Sequence, residues 1–455
     1  MHKTKVAVQV ISSDIPDDTV MLGEAHIKLW KIPKGQHILL KFGAFRQYVK
    51  IIPVAKFDGM KIGENLAEKL GLTTGALLRL QYKADPSTLV LGPLIGVLVS
   101  RDYPLSPDKP FGSITMFCKE LVDACTAQGA YVYLFTPKQV GSDTNTVDGW
   151  IYSDGWRKAS MPVADVINNR LTTRKLENNA SVQHFMKEVK QQHKTTVFNE
   201  KFLDKTEVFD ALKKDESLAR YLPESYSLRG YSTLKSMCSR YNQVFLKPVR
   251  GSLGKGIIRI SRMDQNGYQV MYATAAGSRR QQYASLTKLY SSLSSKMKSV
   301  RYQIQQGLQL IEIQKRPVDF RALVQKNASG KWTLTSIVAR TAGSHHFVSN
   351  LARGGTLSTV GEALAKSNLH SDINRRAASF RLQQAALQIA RGVDTQIPAH
   401  FGELGIDLAL DTNGRVWLLE VNSKPSKNDN TPLREKKIRP SVRMMIQYSR
   451  FLSGF

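Results

Sequence analysis

The fold of this chain is decided by Gly405–Asn422, which reads GIDLALD-TNGR-VWLLEVN. Apolar and polar residues alternate on both sides of Asn413-Gly414, and Asn-Gly is the strongest two-residue signal for a β-hairpin. A two-residue turn here predicts that Asp407 lies directly opposite Glu420, with Asn422 two residues further along the same face. Two carboxylates and an amide oxygen are therefore expected side by side on one face of a sheet.

These oxygen atoms predict a metal site. Directly paired residues have Cβ atoms roughly 4.5–5.5 Å apart, so Asp407 and Glu420 must share a proton, bind a cation or point into open solvent. With Asn422 they form a set of hard oxygen donors that suits Mg²⁺, which takes its other ligands from water and phosphates. A hydrated outer sheet face is the alternative. The opposite face is expected to anchor the hairpin on a core through Ile406, Leu408, Leu410, Trp417, Leu419 and Val421.

A second motif is the glycine-rich segment between Val244–Pro248 and Ile257–Ile260. Glycines allow backbone N–H groups to approach phosphate oxygens closely. Because β-branched residues follow Gly256 where a Walker loop would continue into a helix, the motif predicts a hairpin lid over phosphates. Lys247 lies on the incoming strand, where its ammonium group can reach a phosphate. A purely structural turn is the alternative.

A third group of polar residues follows. Asp319 and Arg321 share one face of a predicted strand, and the next strand leads to Arg340. Two arginines on adjacent strands can clamp a phosphate or a developing acyl phosphate, although each can equally be a surface ion-pair residue. Further along, Asn350 and Gly354-Gly355 belong to a glycine loop that is placed to wrap a ligand.

Two helices are predicted around these motifs. Asp204, followed by Glu207 three residues later, is a capping-box pattern that predicts a helix beginning at Lys205. Asp372–Arg391 is rich in alanine and leucine and predicts an amphipathic helix that ends at Gly392.

The chain divides into three predicted domains. Residues 1–90 alternate short β-like runs with turns and predict an N-terminal β-rich domain. Residues 91–195 follow a strand, helix, strand order, which is typical of an α/β domain with parallel strands. Residues 196–455 carry the motifs above and a basic C-terminal segment. The predicted fold class is therefore α/β (α+β).

The composition bounds the class of partner. Hydrophobic residues at 42% and charged residues at 22% describe a globular chain with ample core. The 65 Lys and Arg against 37 Asp and Glu give a net charge of +28, which favours anionic partners without identifying one. Residues 265–311 hold no acidic residue and interleave Tyr283 and Tyr290. This stretch can bind an anionic chain, but no base-reading motif accompanies it, and a solvated insertion is the favoured interpretation.

Targeting signals are not expected. The three cysteines show neither a disulfide framework nor a metal-type spacing, which favours a reducing cytosol. The first residues lack the long apolar core of a secretory signal. The longest nearly uncharged apolar run, Thr88–Ser100, falls short of the roughly 20 residues of a membrane helix. The sequence thus predicts a cytoplasmic protein with no transmembrane segment.

In their order along the chain, from Asp204-Lys205 to Asn422, the motifs resemble the ATP-grasp superfamily. Its members join a carboxylate to an amine or similar nucleophile through an acyl phosphate. The closer resemblance is to the YheC/YheD family of endospore coat-associated ATP-grasp proteins. It is carried further by Asn168-Asn169-Arg170, Val318–Asn327 and Gly405–Leu408. The superfamily likeness covers about residues 195–425, and the family likeness spans most of the chain.

The resemblance implies an ATP-grasp fold, preceded by the α/β domain and the β-rich domain, and a role for each motif. Arg321, Arg340 and Lys247 are implied to be catalytic, and Asp407, Glu420 and Asn422 to hold one or two Mg²⁺ ions, with Mn²⁺ as a substitute. Substrate contacts are implied at Asn350, Gly354 and Gly355. Nucleotide contacts are implied for Lys205, Lys247, Ser252, Gly254, Lys255, Gly256, Gln305, Gln306, Gly307, Leu308 and Asp319, where Gln305–Leu308 form the adenine hinge and Asp319 is the ribose acid.

One position departs from the superfamily pattern. The hinge commonly has acidic residues where this chain has Gln305 and Gln306, which leaves the choice between ATP and GTP open.

The activity implied is that of an ATP-dependent carboxylate–amine (or carboxylate–thiol) ligase, acting on a small-molecule or peptide carboxylate and associated with the endospore or its coat. The alternative is a non-catalytic structural protein of the spore coat that binds nucleotide or an anionic polymer. A protein-kinase-like phosphotransferase is disfavoured because the HRD and DFG segments are absent from the sequence. Nucleic acid is not an expected partner.

Overall fold

The computed structural model describes residues 4–12, 15–33, 35–141, 144–250, 256–263, 267–274, 277–343, 354–369, 372–426 and 438–455. In this part of the chain the strands form one closed barrel and three open sheets. Helices and strands are mixed throughout, which confirms the predicted α/β (α+β) class. Within the described residues, no helix is both long and apolar enough to cross a bilayer. The three cysteines are free and buried.

The barrel holds the first core. Its strands follow the order β1-β5-β2-β4-β3-β7-β6 and close where β1 pairs with β6. Alternate residues point inward and fill the interior, as in other small barrels. The β-rich prediction for this region is confirmed. The elements are β1 (Thr4–Ile11), β2 (Thr19–Gly23), α1 (Glu24–Trp30), β3 (His37–Phe42), β4 (Phe45–Val54), β5 (Met60–Gly63), α2 (Glu64–Leu70), β6 (Leu77–Lys83) and β7 (Thr88–Gly92).

The next six strands form the middle sheet, in the order β11-β10-β9-β8-β12-β13. Strands β9, β8, β12 and β13 are parallel, which confirms the strand, helix, strand prediction. The connecting helix α3 ends at Gly129, whose φ of +68° suits glycine. The elements are β8 (Leu94–Leu98), α3 (Thr115–Gln128), β9 (Tyr131–Phe135), β10 (Thr146–Tyr152), β11 (Trp156–Pro162), β12 (Val166–Asn169), α4 (Arg174–Glu177), α5 (Ala180–His193) and β13 (Thr196–Phe198).

An antiparallel upper sheet follows, in the order β14-β19-β15-β16-β17-β18. Helices α8 and α9 cover one face, where they share a core with Val244 and Leu246. Phe245 and Lys247 therefore point to the other face. The elements are α6 (Lys205–Leu212), α7 (Glu216–Ala219), β14 (Ser225–Ser227), α8 (Tyr231–Arg240), β15 (Gln243–Pro248), β16 (Ile258–Arg262), β17 (Tyr268–Thr274), β18 (Gly277–Tyr283), α9 (Leu286–Ser299) and β19 (Tyr302–Gln306).

The lower sheet has the order β23-β22-β21-β24-β25, with the short β20 pairing beside β21. Its apolar face packs on the long helix α11. The elements are β20 (Glu312–Ile313), β21 (Arg316–Lys326), β22 (Trp332–Thr341), β23 (Thr356–Ser358), α10 (Val360–Lys366), α11 (Asp372–Gln396), β24 (Glu403–Leu410), β25 (Val416–Asn422) and α12 (Pro440–Ser453).

Helix α11 does not end at Gly392 as predicted. It continues to Gln396, and the glycine serves close packing instead. A Cβ atom at Gly392 would lie 2.2 Å from Leu218 Cδ1 and 2.8 Å from Leu212 Cδ2. The missing side chain thus lets α6 and α7 approach this helix.

The turn of the β24–β25 hairpin also differs from the prediction. Its loop has three residues, Thr412–Gly414, instead of the two of an Asn-Gly turn. The N–H of Asp411 donates to the carbonyl of Arg415 at 3.0 Å, and Gly414 has a φ of +78°. Asp411 also accepts from the N–H groups of Asn413 and Arg415, and this side-chain bonding favours the longer loop.

The longer loop shifts the strand register near the turn by one residue. Leu418 pairs with Leu408 on the core face, so the prediction that Trp417 and Leu419 face the core is wrong. A β-bulge at Leu419 then adds one residue to β25 and restores the register. Asp407 consequently lies directly opposite Glu420, as predicted.

The last helix returns to the middle sheet. Residues of α12 share a core with α3 and with strands β8 and β9. Asn168 donates to Met445 Sδ at 3.1 Å, and the rings of Phe198 and Tyr448 lie 5.7 Å apart. The domain boundaries at 90/91 and 195/196 stay a prediction. Helix α12, which the prediction assigns to the last domain, completes the core of the middle domain.

Candidate active site

Charged side chains form a row across the lower sheet, on the face opposite its core. Arg340 of β22 is the direct cross-strand partner of Asp319 on β21. Arg321, two residues along β21, is the partner of Asp407 on β24, and Asp407 is the partner of Glu420 on β25. Since successive residues of a strand alternate between faces, this row follows directly from the strand order.

The arginines bind the two buried carboxylates through paired hydrogen bonds. Arg340 donates to Asp319 from Nε at 2.6 Å and from Nη2 at 2.9 Å. Arg321 binds both oxygens of Asp407, at 2.9 Å from Nη2 to Oδ2, and Arg340 Nη2 lies 3.2 Å from Asp407 Oδ1. Burial raises the pKa of Asp407, but Arg321 and Arg340 outweigh it and lower the pKa to about 2.

Two lysines approach the row from other elements. Lys205 begins α6, whose N-cap Asp204 accepts from the N–H groups of Thr206 and Glu207, and the predicted helix start is confirmed. Lys205 Nζ lies 3.2 Å from Glu420 Oε1. Lys247 comes from the upper sheet, so the candidate site lies between the two sheets.

Lys247 has an unusual electrostatic environment. Its Nζ donates to Gln305 Oε1 of the neighbouring strand. Burial, together with the positive charge of Lys205, lowers the pKa of Lys247 to about 8, against the opposing effect of Glu420 and Asp407. Two ammonium groups that repel one another in the same cleft favour an anionic ligand between them.

Most hinge groups are occupied by the chain itself. The N–H of Gln306 donates to Glu224 O at 2.9 Å, and its Oε1 accepts from Glu224 N at 2.8 Å. The N–H of Gly307 donates to Gln243 O at 2.7 Å. Gln305 is buried, and its Nε2 has no hydrogen-bond partner among the described residues. This buried amide is therefore a hinge group that can donate to a bound base.

Replacing Gly307 with alanine is expected to destabilise the protein by about 1–3 kcal/mol, a typical cost of overpacking. The added Cβ would lie 2.7 Å from the Gln243 carbonyl oxygen, which belongs to the backbone and cannot rotate away. Gly361→Ala on α10 is the matched control, since its Cβ would meet open space, and it should stabilise by about 0.5–1 kcal/mol. Urea unfolding measures both changes, and equal stabilities of the two variants would contradict the prediction.

The remaining predicted residues are placed as follows. Ser252, Gly254, Lys255 and Asn350 lie outside the described residues, and Gly256, with a φ of +74°, ends the loop that enters β16. Strands β15 and β16 pair antiparallel, which confirms the predicted hairpin. Gly354 and Gly355 precede β23, whose Leu357 pairs with Arg340. Gly354 and Gly355 thus lie near the arginine end of the row.

The oxygen donors fit a hard divalent cation, with one restriction. Glu420 has a side chain 27% exposed, and Asn422 makes no side-chain hydrogen bond within the described residues. Mg²⁺ and Mn²⁺ accept few protein oxygens and keep several waters. Both Asp407 oxygens already accept from Arg321, so a cation bound there must share them. No group of three or more His, Cys, Asp or Glu side chains suited to a metal occurs in the described part of the chain.

The ribose assignment meets a similar restriction. Both oxygens of Asp319 accept from Arg340, and its side chain is only 6% exposed. A ribose hydroxyl would have to share those oxygens.

Sequence reasoning missed two charged residues of the cleft. Arg259 lies beside Phe245 on the open face of the upper sheet, and Glu312 lies on β20 below. Burial lowers the pKa of Arg259, and the Glu312 charge opposes this shift. The two charged groups therefore interact electrostatically across the cleft. Strand alternation would have placed Arg259 on the Lys247 face, but no local signal pairs it with Glu312.

A buried ion-pair network beneath the site was also missed. Arg170, at the end of β12, binds Glu403 of β24 and donates to the carbonyl of Pro425 at 2.6 Å. Lys424 and Glu177 form a pair with side chains 3% and 5% exposed. These contacts attach the end of β25, and with it Asn422, to the middle sheet. Their partners lie more than 230 residues apart, so no local pattern predicts them.

An antiparallel sheet with a glycine-rich hairpin, facing a second sheet that carries arginines and carboxylates, defines an ATP-grasp protein. The likeness extends to sequence. The chain belongs to the YheC/D-like ATP-grasp family, which matches residues 194–452. The resemblance read from the motifs is thereby confirmed.

Two curated relatives come from Bacillus subtilis (strain 168). Endospore coat-associated protein YheD is 31% identical over 374 residues, which cover 81% of this chain and 80% of the relative. Endospore coat-associated protein YheC is 24% identical over 317 residues, which cover 68% and 85%.

Solved structures are more distant. The VanG D-Ala:D-Ser ligase from Enterococcus faecalis has 12% identity, covers 80% of this chain and 99% of its own, and gives a TM-score of 0.47. The D-cycloserine synthetase DcsG has 12% identity, covers 78% and 99%, and gives 0.45. At this distance the similarity bears on neither substrate nor mechanism.

Proposed function

We propose that the protein is an ATP-dependent ligase that joins a carboxylate to an amine or a thiol through an acyl phosphate. The observation that carries this proposal is the convergence of four cations on the row of carboxylates between the upper and lower sheets. The cations are Lys205, Lys247, Arg321 and Arg340.

The charge balance of the site supports polyphosphate binding. The four cations face three carboxylates, Asp319, Asp407 and Glu420, which leaves one positive charge in excess. Lys205 and Lys247 would bind the nucleotide phosphates as point charges, and the buried amide of Gln305 would donate to the base. Glu420, Asn422 and Asp407 would hold Mg²⁺ or Mn²⁺, which supplies charge neutralisation at the phosphates when bound.

The proposed reaction has two steps. A carboxylate oxygen attacks the γ-phosphorus of ATP, and the bond from that phosphorus to the oxygen of ADP breaks, with ADP leaving with the electron pair. The nucleophile then attacks the acyl carbon, phosphate leaves with its electron pair, and the nucleophile loses a proton to solvent. Arg321 and Arg340 would steady the transferred group by electrostatic preorganisation, and positioning supplies the rest of the catalysis.

The cellular location of the protein is proposed from its curated relatives. YheD and YheC are named endospore coat-associated proteins, and we place this protein in the cytoplasm and in association with the spore. A non-catalytic coat protein that binds nucleotide or an anionic polymer is the second candidate. The full engagement of Asp407 by Arg321 and Arg340 favours it, because a carboxylate neutralised by two guanidinium groups is a weaker metal ligand.

The test is an ATP-dependent screen of carboxylates against amines and thiols, read by product mass and by ADP release. A ligase is expected to release ADP only when its carboxylate is present. Glu420→Gln should abolish release while leaving the fold intact, because this side chain is partly exposed. Nucleotide binding with no ADP from any carboxylate would support the second candidate, and the absence of both binding and ADP would overturn the assignment.

A further inference from the structure

The free edge of the upper sheet carries an unbalanced positive surface, which we call the edge surface. It consists of four consecutive exposed residues of β18, Arg279–Gln282, with Lys288 and Lys296 of α9. Within the described residues none of its four cations forms an ion pair, and residues 265–311 contain no carboxylate to supply one. A solvated face of this size usually mixes both signs of charge.

Several side chains of α9 and of strands β17 and β18 contact one another around the edge. Ser292 donates to the Tyr283 hydroxyl at 2.9 Å, and Lys296 lies 4.4 Å from the centre of the Tyr272 ring. Tyr272 is in turn the cross-strand partner of Arg279. Because Lys288, Ser292 and Lys296 are spaced by four residues, they form one row of the helix alongside β18.

The backbone of β18 is open on its outer side. The strand is the last of the upper sheet and pairs only with β17 among the described strands. Such an edge presents N–H and C=O groups that can pair with another extended chain. Charged residues on an edge often prevent this pairing between identical chains, and the same charges leave the edge selective for an acidic partner.

The surface does not suit single-stranded nucleic acid. Binding of that kind uses exposed aromatic rings as stacking platforms. The tyrosines of this stretch are half-buried against the core of the upper sheet. The Tyr272 and Tyr283 hydroxyls bond to one another, Ser292 donates to Tyr283, and Tyr290 packs edge-on against Tyr231 with ring centres 5.5 Å apart.

We propose that the edge surface docks an acidic polypeptide segment, which adds to β18 as an extended strand. Its backbone would pair with the open edge, and its carboxylates would meet Arg279, Lys288 and Lys296 on the α9 side of the sheet and Arg280 on the other side. The segment would lie four strands from the Lys247 strand β15, about 19 Å away at the usual strand spacing. The docking requires no ATP turnover, and it stands or falls separately from the ligase proposal.

The test uses two labelled peptides of equal length and charge, (Glu-Thr)6 and (Glu-Glu-Pro-Pro)3, with the full chain and no nucleotide. Fluorescence anisotropy at low salt should show that (Glu-Thr)6 binds at least about fivefold more tightly, because the paired prolines remove half of the backbone donors on either side of the strand. Binding should weaken with added salt. Equal affinities for the two peptides would overturn the strand pairing, and tighter binding of the oligonucleotide dT12 would overturn the choice of partner.

Two variants, each lacking four cations, distinguish binding at the edge surface from a general effect of the protein's positive charge. Replacing Arg279, Arg280, Lys288 and Lys296 by glutamine should weaken (Glu-Thr)6 binding by about tenfold or more. The control replaces four exposed lysines elsewhere, Lys175, Lys187, Lys214 and Lys331, and should change it less than about twofold. Similar losses in both variants would overturn the proposal. Circular dichroism checks that each variant remains folded.

Discussion

ATP affinity is expected to fall by about 10- to 150-fold when Lys247 is replaced by methionine, the range for losing a hydrogen bond to a charged group. Lys247 is the cation that the upper sheet brings to the carboxylate row, and it shares the cleft with Lys205. Isothermal titration calorimetry measures the change. Lys235→Met, an exposed lysine on α8 of the same sheet, is the control and should bind ATP as the wild type does.

The same residue predicts a pH dependence. With its pKa lowered to about 8, Lys247 loses its ammonium charge as the pH rises above 8. ATP affinity should therefore be flat below this pH and fall towards about tenfold per pH unit above it. Because bound phosphate favours the charged lysine, binding above pH 8 should take up a proton. Lys247→Arg keeps its charge and should lose this dependence; an unchanged profile in that variant would assign the titration elsewhere.

The second large effect concerns stability. Asp407→Asn is expected to destabilise the protein by about 3–5 kcal/mol, because it leaves the Arg321 guanidinium without its carboxylate and leaves Arg340 with Asp319 alone. Arg321 and Arg340 have side chains only 26% and 11% exposed. Chemical denaturation measures the loss. Glu420→Gln breaks a more exposed pair with Lys205 and should cost no more than about 1 kcal/mol.

The pH dependence of that loss has a definite sign. The folded pKa of Asp407 is depressed to about 2 from its usual 3.8. Its contribution to stability is therefore fully present above about pH 5 and disappears as the pH falls towards 2. The gap in unfolding free energy between wild type and Asp407→Asn should narrow over this range. If the difference in unfolding free energy stays constant down to pH 2, the charge of Asp407 does not stabilise the two arginines.

The hairpin shows what sequence patterns can predict and where they fail. Alternation and the Asn-Gly pair correctly placed Asp407 opposite Glu420. The turn was nonetheless assigned wrongly, because Asp411 bonds back to the loop and lengthens it by one residue. A bulge at Leu419 cancels this shift in strand register, and the residue types around Leu419 do not predict the bulge. The cross-strand pairing of Asp407 with Glu420 was thus predicted correctly, while the core positions beside it were not.

Contacts between distant strands account for most of what was missed. The sequence assigned Arg321 to a phosphate clamp and Asp407 to a metal site as separate motifs. Strand order makes them direct neighbours, and nothing local reveals that β21 lies beside β24. The pair of Arg170 and Glu403 has the same origin. Periodicity identifies the face of a strand, but neighbouring strands are selected by the packing of the whole sheet.

The return of α12 to the middle sheet constrains how the protein folds during synthesis. Strands β8–β13 are complete at Phe198, but their core also needs Val442, Met445 and Ile446. About 240 further residues must be translated first, which takes roughly 12–50 s at ordinary elongation rates. Throughout that interval the nascent chain exposes an apolar surface beside the ribosome. A premature stop before Pro440 would leave this surface permanently open to chaperones and proteases.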